Sequence, residues 1–398
     1  MFLESSRMSP FSRTGYSSTR RVSNCLLARA ACGMTGRFMA AVAVIGAFAA
    51  FPACGLAGQE KIPVALVGGA HIHAPGFADQ LGNHNRVEVR YVWDPDPAVA
   101  QARQASAGGE VVGDLSVIWE DEEVSAVVIV SQTNRHIDLI AAAVEAGKHV
   151  FHDKPLGLNA EEAGVLAEKI RGADVIYQTG YFQRGRPNHQ RVRELIEQGA
   201  FGQITNIRTT MMHSGALDGW FDDDWRWMAD VEQAGVGGFG DLGTHVLDLM
   251  LYLMAAAGDV AVAATGHVDA AVDRYEGTDE YGEGMIRFDS GAVGTVGAGW
   301  VFRANPNTLE VSGTEGHARV TEGRLYLSGP GMEGKVDDDG RAIDLPGEWP
   351  NPLQIFLQTV VDEADAPLVS VDSSEYTQQV MTAIYRGAEN RAWIEIEE

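Results

Sequence analysis

Short apolar runs alternate with helical segments between residues 62 and 179, and this alternation constrains the fold more than any other feature of the chain. Apolar runs bounded by turn residues are typical of buried strands, whereas Ala-rich stretches that end at glycine are typical of helices. The predicted strands are 62–69, 87–93, 126–131, 149–152 and 175–179, and the predicted helices include 98–107, 136–146 and 160–171. Strands that alternate with helices favour a doubly wound parallel sheet, so the sequence predicts an α/β fold here.

The pattern changes after residue 180, where strand-like segments are separated mainly by glycines instead of by helices. Residues 204–212 alternate in polarity, as expected for a strand with one exposed face. Further strands are predicted at 260–269, 280–289, 292–302, 308–312 and 317–320, with helices at about 189–198, 241–254, 352–363 and 375–391. We therefore predict a first domain over residues 58–180 and a second, α+β domain over residues 181–398 with a mostly antiparallel open sheet.

Residues 1–57 differ in composition from the rest of the chain. They contain six of the 30 basic residues, one of the 55 acidic residues and all three cysteines. An apolar run, residues 39–53, follows Arg29 and Arg37 and precedes small residues that end at Ala57, which is the order of a secretory signal peptide. The run is too short for a comfortable membrane span. We therefore expect export to the periplasm or the extracellular space, with cleavage near Ala57.

A second interpretation follows from the methionines in this segment. If translation starts at Met34 or Met39, the upstream residues do not belong to the protein, and a cytoplasmic location is expected instead. On either interpretation residues 58–398 contain no cysteine. This excludes a disulfide scaffold, a Cys-ligated zinc site and a cysteine nucleophile in that part of the chain.

The chain is strongly acidic, with a formal net charge of −25 at pH 7. Nucleic-acid binding needs clustered cations that neutralise phosphates, and anionic lipid attracts basic surfaces. We therefore predict no nucleic-acid partner and no attachment to anionic lipid. No segment of residues 58–398 reaches membrane-spanning length, so we also predict no membrane insertion of the mature body. A hydrophobic content of 45% is sufficient for sizeable folded cores.

A glycine-containing turn, Gly68-Gly69-Ala70-His71, follows the first predicted strand and precedes a predicted helix. Backbone N–H groups at such a turn bind the pyrophosphate of a dinucleotide. Asp94 ends the next strand, where a carboxylate accepts hydrogen bonds from ribose hydroxyls and repels a 2′-phosphate. The pattern therefore favours NAD over NADP. The alternative to a dinucleotide site is a tight turn with an unrelated acidic residue on the surface.

Two further segments contain candidate catalytic side chains. Lys154 follows a strand at the edge where ligands bind in parallel sheets, although an isolated lysine there is more often solvated. Asp241 and His245 are four residues apart, so they share one face of a helix. A histidine can exchange a hydroxyl proton, and the aspartate can orient its ring or bind a substrate hydroxyl. The alternative is a helix-capping aspartate and a buried, hydrogen-bonded histidine.

The histidines of the first turn also raise the question of a metal. His71 and His73 are both potential ligands, but the sequence offers no third ligand at a convincing spacing. We therefore predict no metal site. Both histidines are interpreted as loop residues that lie, at most, near the cofactor.

In order along the chain, these motifs resemble the glucose–fructose oxidoreductase and inositol dehydrogenase family, Gfo/Idh/MocA. The resemblance extends over about residues 61–395. Its segments are 62–70, Asp94, 133–136 (TNRH), 146–150 (AGKHV), 153–155 (DKP), Gly180-Tyr181 with Arg184 and Pro187, 199–204, 241–245 (DLGTH) with Asp248, and 313–316 (GTEG). The chain departs from the family pattern at Ala70, His73, Gln132, Asp153 and Val236.

The resemblance implies an NAD(P)-binding Rossmann domain and a second domain whose open sheet often mediates dimers or tetramers. It assigns Lys154, Asp241 and His245 to catalysis, with His245 as the acid/base. The cofactor positions that we predict are Gly68, Gly69, Ala70, His71, Asp94, Asn134, His136, Asp153 and Lys154. Family members commonly oxidise or reduce a carbon of a sugar, cyclitol or related polyol.

Together, these observations predict a nicotinamide-dependent oxidoreductase that transfers hydride to or from a secondary alcohol or ketone of a sugar, cyclitol or related polyol. NAD is expected as cofactor, a carbohydrate-like small molecule as substrate, and a homodimer or homotetramer as the assembly. Two alternatives stay open. One is an NAD-dependent enzyme that cleaves glycosides through a 3-keto intermediate, and the other is a non-catalytic sensor or binding protein that keeps the dinucleotide fold.

Overall fold

Two β-sheets organise the part of the chain that the structure, a computed structural model, describes: residues 61–304 and 306–396. The predicted export segment, residues 1–57, lies outside the described residues. In the described ranges there is no helix long and apolar enough to cross a membrane.

The first sheet has six parallel strands, as the alternating pattern predicts. They are β1 (Ile62–Val67), β2 (Val87–Trp93), β3 (Glu110–Val111), β4 (Ala126–Ile129), β5 (His149–His152) and β6 (Tyr177–Thr179). The helices of this part are α1 (Ala74–Gly82), α2 (Pro97–Ala107), α3 (Ser116–Glu120), α4 (His136–Glu145) and α5 (Ala160–Arg171). Two hydrophobic clusters, one on each face of the sheet, bury the strands completely at β4 and largely at β1.

The strand order is β3-β2-β1-β4-β5-β6, with the direction of winding reversing between β1 and β4. This is the order of the Rossmann fold, in which ligands bind outside the carboxyl ends of the strands at the point of reversal. The predicted doubly wound fold is therefore confirmed. It places the segments after β1, β2, β4 and β5 along one edge of the sheet.

The second sheet has eight strands and is mostly antiparallel, which confirms the second part of the predicted fold. Its strands are β7 (Ile204–Met212), β8 (Ala261–Asp269), β9 (Tyr281–Phe288), β10 (Val293–Gly299), β11 (Thr308–Gly313), β12 (His317–Thr321), β13 (Arg324–Ser328) and β14 (Ile394–Glu395). Their order is β13-β12-β11-β7-β10-β9-β8-β14, and β7 and β10 pair in parallel. The sequence analysis missed β13 and the two-residue strands β3 and β14.

Two helices, α9 (Gly238–Ala256) and α11 (Val371–Asn390), pack against the second sheet. The other helices of this part are α6 (Pro187–Glu197), α7 (Gly215–Asp218), α8 (Val231–Ala234) and α10 (Pro352–Asp362). Fifteen of the 19 residues of α9 are buried, because this helix packs against β7 and β10 of the sheet and against its neighbours α6 and α11. α10 instead returns to the first sheet, where Leu353 and Phe356 are completely buried in the core around β1 and β4.

Candidate active site

The turn after β1 approaches the end of β4 too closely for any residue but glycine at position 68. Gly68 has a φ of +81°, a conformation that favours glycine. A Cβ added there would lie 2.7 Å from Cβ of Ser131. The backbone N–H of Gly68 donates to the carbonyl of Trp93 at 2.6 Å, so the turn is also tied to β2. These constraints give the turn the close-packed backbone that a bound pyrophosphate requires.

Asp94 lies beside this turn, as predicted. Its Oδ2 accepts the backbone N–H of Gly69 at 2.7 Å, and its Oδ1 accepts that of Asp96 at 2.9 Å. Burial raises the pKa of the Asp94 carboxyl above its usual value, although these two backbone hydrogen bonds oppose the shift. Sequence reasoning missed Arg103 on α2, whose Nε donates to the carbonyl of Gly69 at 3.1 Å and which packs across the glycine.

The segment after β4 contains buried polar atoms that have no partner among the described residues. They are Oε1 of Gln132, Oδ1 of Asn134 and Nε2 of His136. Burial lowers the pKa of His136 to about 4, and Nδ1 of its ring bonds the carbonyl of Pro155 at 2.9 Å. Buried polar groups are usually hydrogen-bonded, so unpaired ones beside Gly68 fit a site that is completed by a polar cofactor. The structure thus places Asn134 and His136 just after β4, at the carboxyl edge of the first sheet, and their binding of the cofactor stays a prediction.

Asp153 directly follows β5 and contacts both histidines of the first turn. Its Oδ2 lies 2.9 Å from Nδ1 of His71 and 2.8 Å from Nδ1 of His73. Burial alone would raise the pKa of the Asp153 carboxyl, but the two imidazoles hold it well below its usual value. Its Oδ1 accepts the backbone N–H of Lys154 at 2.9 Å. The absence of a side chain at Gly180 leaves room for this oxygen, since a Cβ there would lie 2.6 Å from it.

Lys154 and Asp241 form a buried ion pair between β5 and α9. Nζ of Lys154 lies 2.6 Å from Oδ1 of Asp241 and 3.1 Å from its backbone carbonyl. The other carboxylate oxygen accepts Nε1–H of Trp300 at 3.0 Å. Burial alone would raise the pKa of Asp241, but the charge of Lys154 and these hydrogen bonds hold it well below its usual value. The carboxylate of Asp241 is therefore ionised across the neutral pH range. Sequence reasoning missed Trp300, which lies 59 residues beyond Asp241.

His245 lies one turn beyond Asp241 on the same side of α9 and is 2% exposed. Its Nδ1 is buried and has no hydrogen-bond partner among the described residues. The carboxylate of Asp241 bonds Lys154 and Trp300 and makes no hydrogen bond to the ring, so the predicted orienting contact between Asp241 and His245 is not present. Burial, and then the charge of Lys154, lower the pKa of His245 well below its usual value. The ring is therefore neutral and can accept a proton.

A narrow, open cleft lies between the two halves of this site. Its lining residues are His71, Thr133, Lys154, Pro155, Trp227, Met228, Ala234, Val236 and Asp241. Trp227 donates its Nε1–H to the carbonyl of Ala70 at 3.0 Å, which anchors the cleft wall to the glycine turn. Nearby, the rings of His213 and Trp220 stack with centroids 4.6 Å apart, and Trp220 is 43% exposed. An exposed aromatic ring suits the apolar face of a sugar-like ligand.

The fold and the site together define a dinucleotide-binding α/β protein whose second domain contributes an acid and a histidine opposite the lysine of the first. A family described as an oxidoreductase family with an NAD-binding Rossmann fold matches residues 62–181. The Gfo/Idh/MocA C-terminal domain matches residues 189–319. The two matches together account for more than half of the chain, and the chain belongs to the Gfo/Idh/MocA family of oxidoreductases.

Individual relatives agree with this assignment. The chain is 30% identical over 248 residues to levoglucosan dehydrogenase of Pseudarthrobacter phenanthrenivorans, covering 56% of this chain and 62% of that one. It is 32% identical over 205 residues to the NAD⁺-dependent scyllo-inositol 2-dehydrogenase of Bacillus subtilis, covering 50% and 56%. The chain thus spans less than two thirds of the length of these relatives. A solved levoglucosan dehydrogenase, in complex with NADH and levoglucosan, superposes with a TM-score of 0.71 at 22% identity, covering 85% of this chain and 100% of that one.

Proposed function

We propose that this protein is an NAD-dependent oxidoreductase that acts on a secondary alcohol, or the corresponding ketone, of a sugar, cyclitol or related polyol. The observation that carries the proposal is that Lys154, Asp241 and His245 lie together at the carboxyl edge of the parallel sheet. At the same edge, the glycine turn and the unpaired buried polar atoms fit a dinucleotide. The named substrates of the relatives above, levoglucosan and scyllo-inositol, belong to the same chemical class.

The residues divide the chemistry between them. The unpaired, neutral ring of His245 accepts the hydroxyl proton when an alcohol is oxidised and returns it when a ketone is reduced. Lys154, held by Asp241, directs positive charge at the reacting oxygen and favours the negative charge that develops there. Gly68, Asp94 and the polar atoms after β4 hold the cofactor, which supplies the hydride acceptor or donor when bound.

The first test is to denature protein expressed from residue 58 onward and to identify the released nucleotide by absorbance and mass. We expect NAD at close to one equivalent per chain, or tight binding of added NADH if the cofactor dissociates. Sugars, cyclitols and glycosides are then screened both for NADH formation and for products. Products without net NADH would favour the glycoside-cleaving alternative, in which the cofactor is recycled.

Substitution of the two proposed catalytic groups separates an enzyme from a binding protein. Lys154→Ala and His245→Ala should each lower turnover by about 10²- to 10⁴-fold, the range for loss of a general acid or base. His245→Ala should bind NADH as the parent does, and Lys154→Ala, which changes a predicted cofactor position, should still bind NADH. A parent protein that binds neither NAD(H) nor NADP(H), or variants that keep full turnover, would overturn the proposal.

We further propose that the protein is exported. The support is the order of charged, apolar and small residues before Gly58. Expression of the full chain in a bacterial host, followed by fractionation and intact mass, should give a periplasmic product that begins near residue 58. An unprocessed chain confined to the cytoplasm would overturn this.

A homodimer or homotetramer is proposed through the face of the second sheet that points away from α9 and α11. On β9, buried residues alternate with the exposed Glu283, Met285 and Arg287 on that face. Light scattering coupled to gel filtration should give a multiple of the monomer mass, and Met285→Glu should lower it. A monomer at micromolar concentration would contradict the proposal.

A further inference from the structure

Two histidines of the first turn and an aspartate 80 residues away direct three potential metal ligands at one point. A ring nitrogen of His71, a ring nitrogen of His73 and a carboxylate oxygen of Asp153 lie within 4.8 Å of one another. His71 and Asp153 are buried, whereas the side chain of His73 is 43% exposed. The cluster is therefore fixed on one side and accessible from solvent on the other.

The cluster shares one acceptor, Oδ2 of Asp153, which lies 2.8 Å from Nδ1 of His73 and 2.9 Å from Nδ1 of His71. The backbone N–H of His73 donates to Nδ1 of His71 at 3.2 Å, which requires a lone pair on that nitrogen. Oδ2 of Asp153, also an acceptor, lies 2.9 Å from the same nitrogen. Two acceptor atoms at this separation repel each other unless a cation or a proton lies between them.

The carboxylate is already oriented for such a role. Its Oδ1 is occupied by the backbone N–H of Lys154 at 2.9 Å, which leaves Oδ2 to face both imidazoles. Metal-bound carboxylates are commonly held in this way by a hydrogen bond to the oxygen that does not ligate. The ring of His71 is in turn held between His73 and Trp227, with centroid distances of 4.6 and 5.6 Å.

We propose that His71, His73 and Asp153 bind a divalent ion of the first transition series. Metal–ligand bonds of about 2.1 Å place neighbouring ligand atoms about 3.0 Å apart at octahedral angles and about 3.4 Å apart at tetrahedral angles. The two observed separations from Oδ2, 2.9 and 2.8 Å, are nearer to the octahedral value. Two imidazoles and one carboxylate suit zinc, iron or nickel better than magnesium or calcium. Three ligands on one side of the ion leave positions for water or a ligand oxygen. This inference does not depend on the proposed activity.

Zinc binding to the tag-free full chain tests the proposal. After dialysis against a chelator, calorimetric titration with Zn²⁺ is expected to show one strong site per chain, whereas Mg²⁺ should not compete for it. His73→Ala and Asp153→Asn should each weaken this site by at least about 10-fold. The matched control is His267→Ala, because His267 has a side chain 74% exposed next to Asp269 and lies outside the cluster. This variant should bind zinc as the parent does.

X-ray absorption at the zinc edge adds a measurement that does not depend on affinity or activity. Two imidazole ligands are expected in the parent and one in His73→Ala. Circular dichroism checks that each variant is folded. Because His73 is partly exposed, its replacement should not disrupt folding, so His73→Ala decides the test if Asp153→Asn fails to fold. Absence of a stoichiometric zinc site, or a site unchanged in His73→Ala, would overturn the proposal.

Discussion

Nζ of Lys154, at the end of β5, lies 2.6 Å from Oδ1 of Asp241, in the first turn of α9. The two side chains are 3% and 15% exposed, so the pair is shielded from solvent and joins the sheet of the first domain to the main helix of the second. Because Oδ2 of Asp241 also accepts Nε1–H of Trp300, the carboxylate has a single orientation. The position of the lysine ammonium therefore depends on the aspartate.

The first prediction concerns this dependence. Asp241→Asn keeps the shape of the side chain but removes the charge that holds Lys154, so kcat should fall by about 10- to 100-fold. NADH affinity, measured by fluorescence titration, should stay within about threefold of that of the parent. Trp300→Phe removes only a neutral hydrogen bond to the same carboxylate and should lower kcat less. A parental kcat in Asp241→Asn would show that Lys154 needs no partner.

The second prediction concerns the choice of cofactor. Asp94 is the acid beside the glycine turn, so Asp94→Ala should weaken NADH binding by about 10-fold and reduce the preference for NADH over NADPH. Asp96→Asn is the matched control. It removes a negative charge two residues away while keeping the oxygen that caps α2 by accepting the N–H of Ala98 at 2.8 Å. Equal effects of the two variants on the NADH-to-NADPH affinity ratio would contradict a specific role for Asp94.

Some of this site is predictable from local sequence, and some is not. The positions of Gly68 and Asp94 follow from strand ends, because consecutive parallel strands present their carboxyl ends at one edge. The spacing of Asp241 and His245 correctly predicts one helix face, but not that the carboxylate turns towards Lys154 and Trp300. That orientation depends on residues distant in sequence, and no local pattern encodes it.

The cluster around Asp153 illustrates the same limit. The sequence gives no reason to join His71 and His73 to a residue 80 positions away, and the absence of a nearby third ligand argued against a metal. The parallel pairing of β1 with β4 and of β4 with β5 brings the turn after β1 and the end of β5 to one edge. Chain topology, rather than spacing along the chain, thus creates the cluster.

The third prediction concerns the stability of the second domain. The guanidinium of Arg184 bonds Asp248 through Nε at 2.9 Å and through an NH₂ group at 2.5 Å, and Asp248 is completely buried. Asp248→Ala leaves a buried, unpaired cation, so the free energy of unfolding should fall by about 3–5 kcal/mol. Removal of both charges in Arg184→Met/Asp248→Leu should cost less than the single change.

Denaturant titration measures both effects, with Arg303→Met as the control. Arg303 pairs with Asp218 at 2.5 Å, but the two side chains are 68% and 39% exposed, so its loss should have little effect on the unfolding midpoint. A double variant less stable than Asp248→Ala would show that the cost arises from packing and not from the unpaired charge.

The last prediction concerns stability in mild acid. His189 is 7% exposed, and its Nδ1–H donates to the carbonyl of Gln183 at 2.8 Å. Burial lowers the pKa of His189 to about 4, from an ordinary value of 6.5. Between these two values the unfolded chain binds a proton that the folded chain does not, so the free energy of unfolding must fall as the pH decreases through this window. Above pH 6.5 the ring is neutral in both states and the effect vanishes.

His189→Asn tests this mechanism, because the amide nitrogen of asparagine can occupy the position of Nδ1–H without titrating. Urea unfolding at pH 7.5 and pH 5 should show a smaller difference in stability for this variant than for the parent, by about 2 kcal/mol, the value of one and a half pKa units. His267→Asn removes a histidine from the surface and should leave the difference unchanged. If His189→Asn retains the full acid sensitivity of the parent, the folded protein accommodates the proton of His189, and the acid lability arises from other groups.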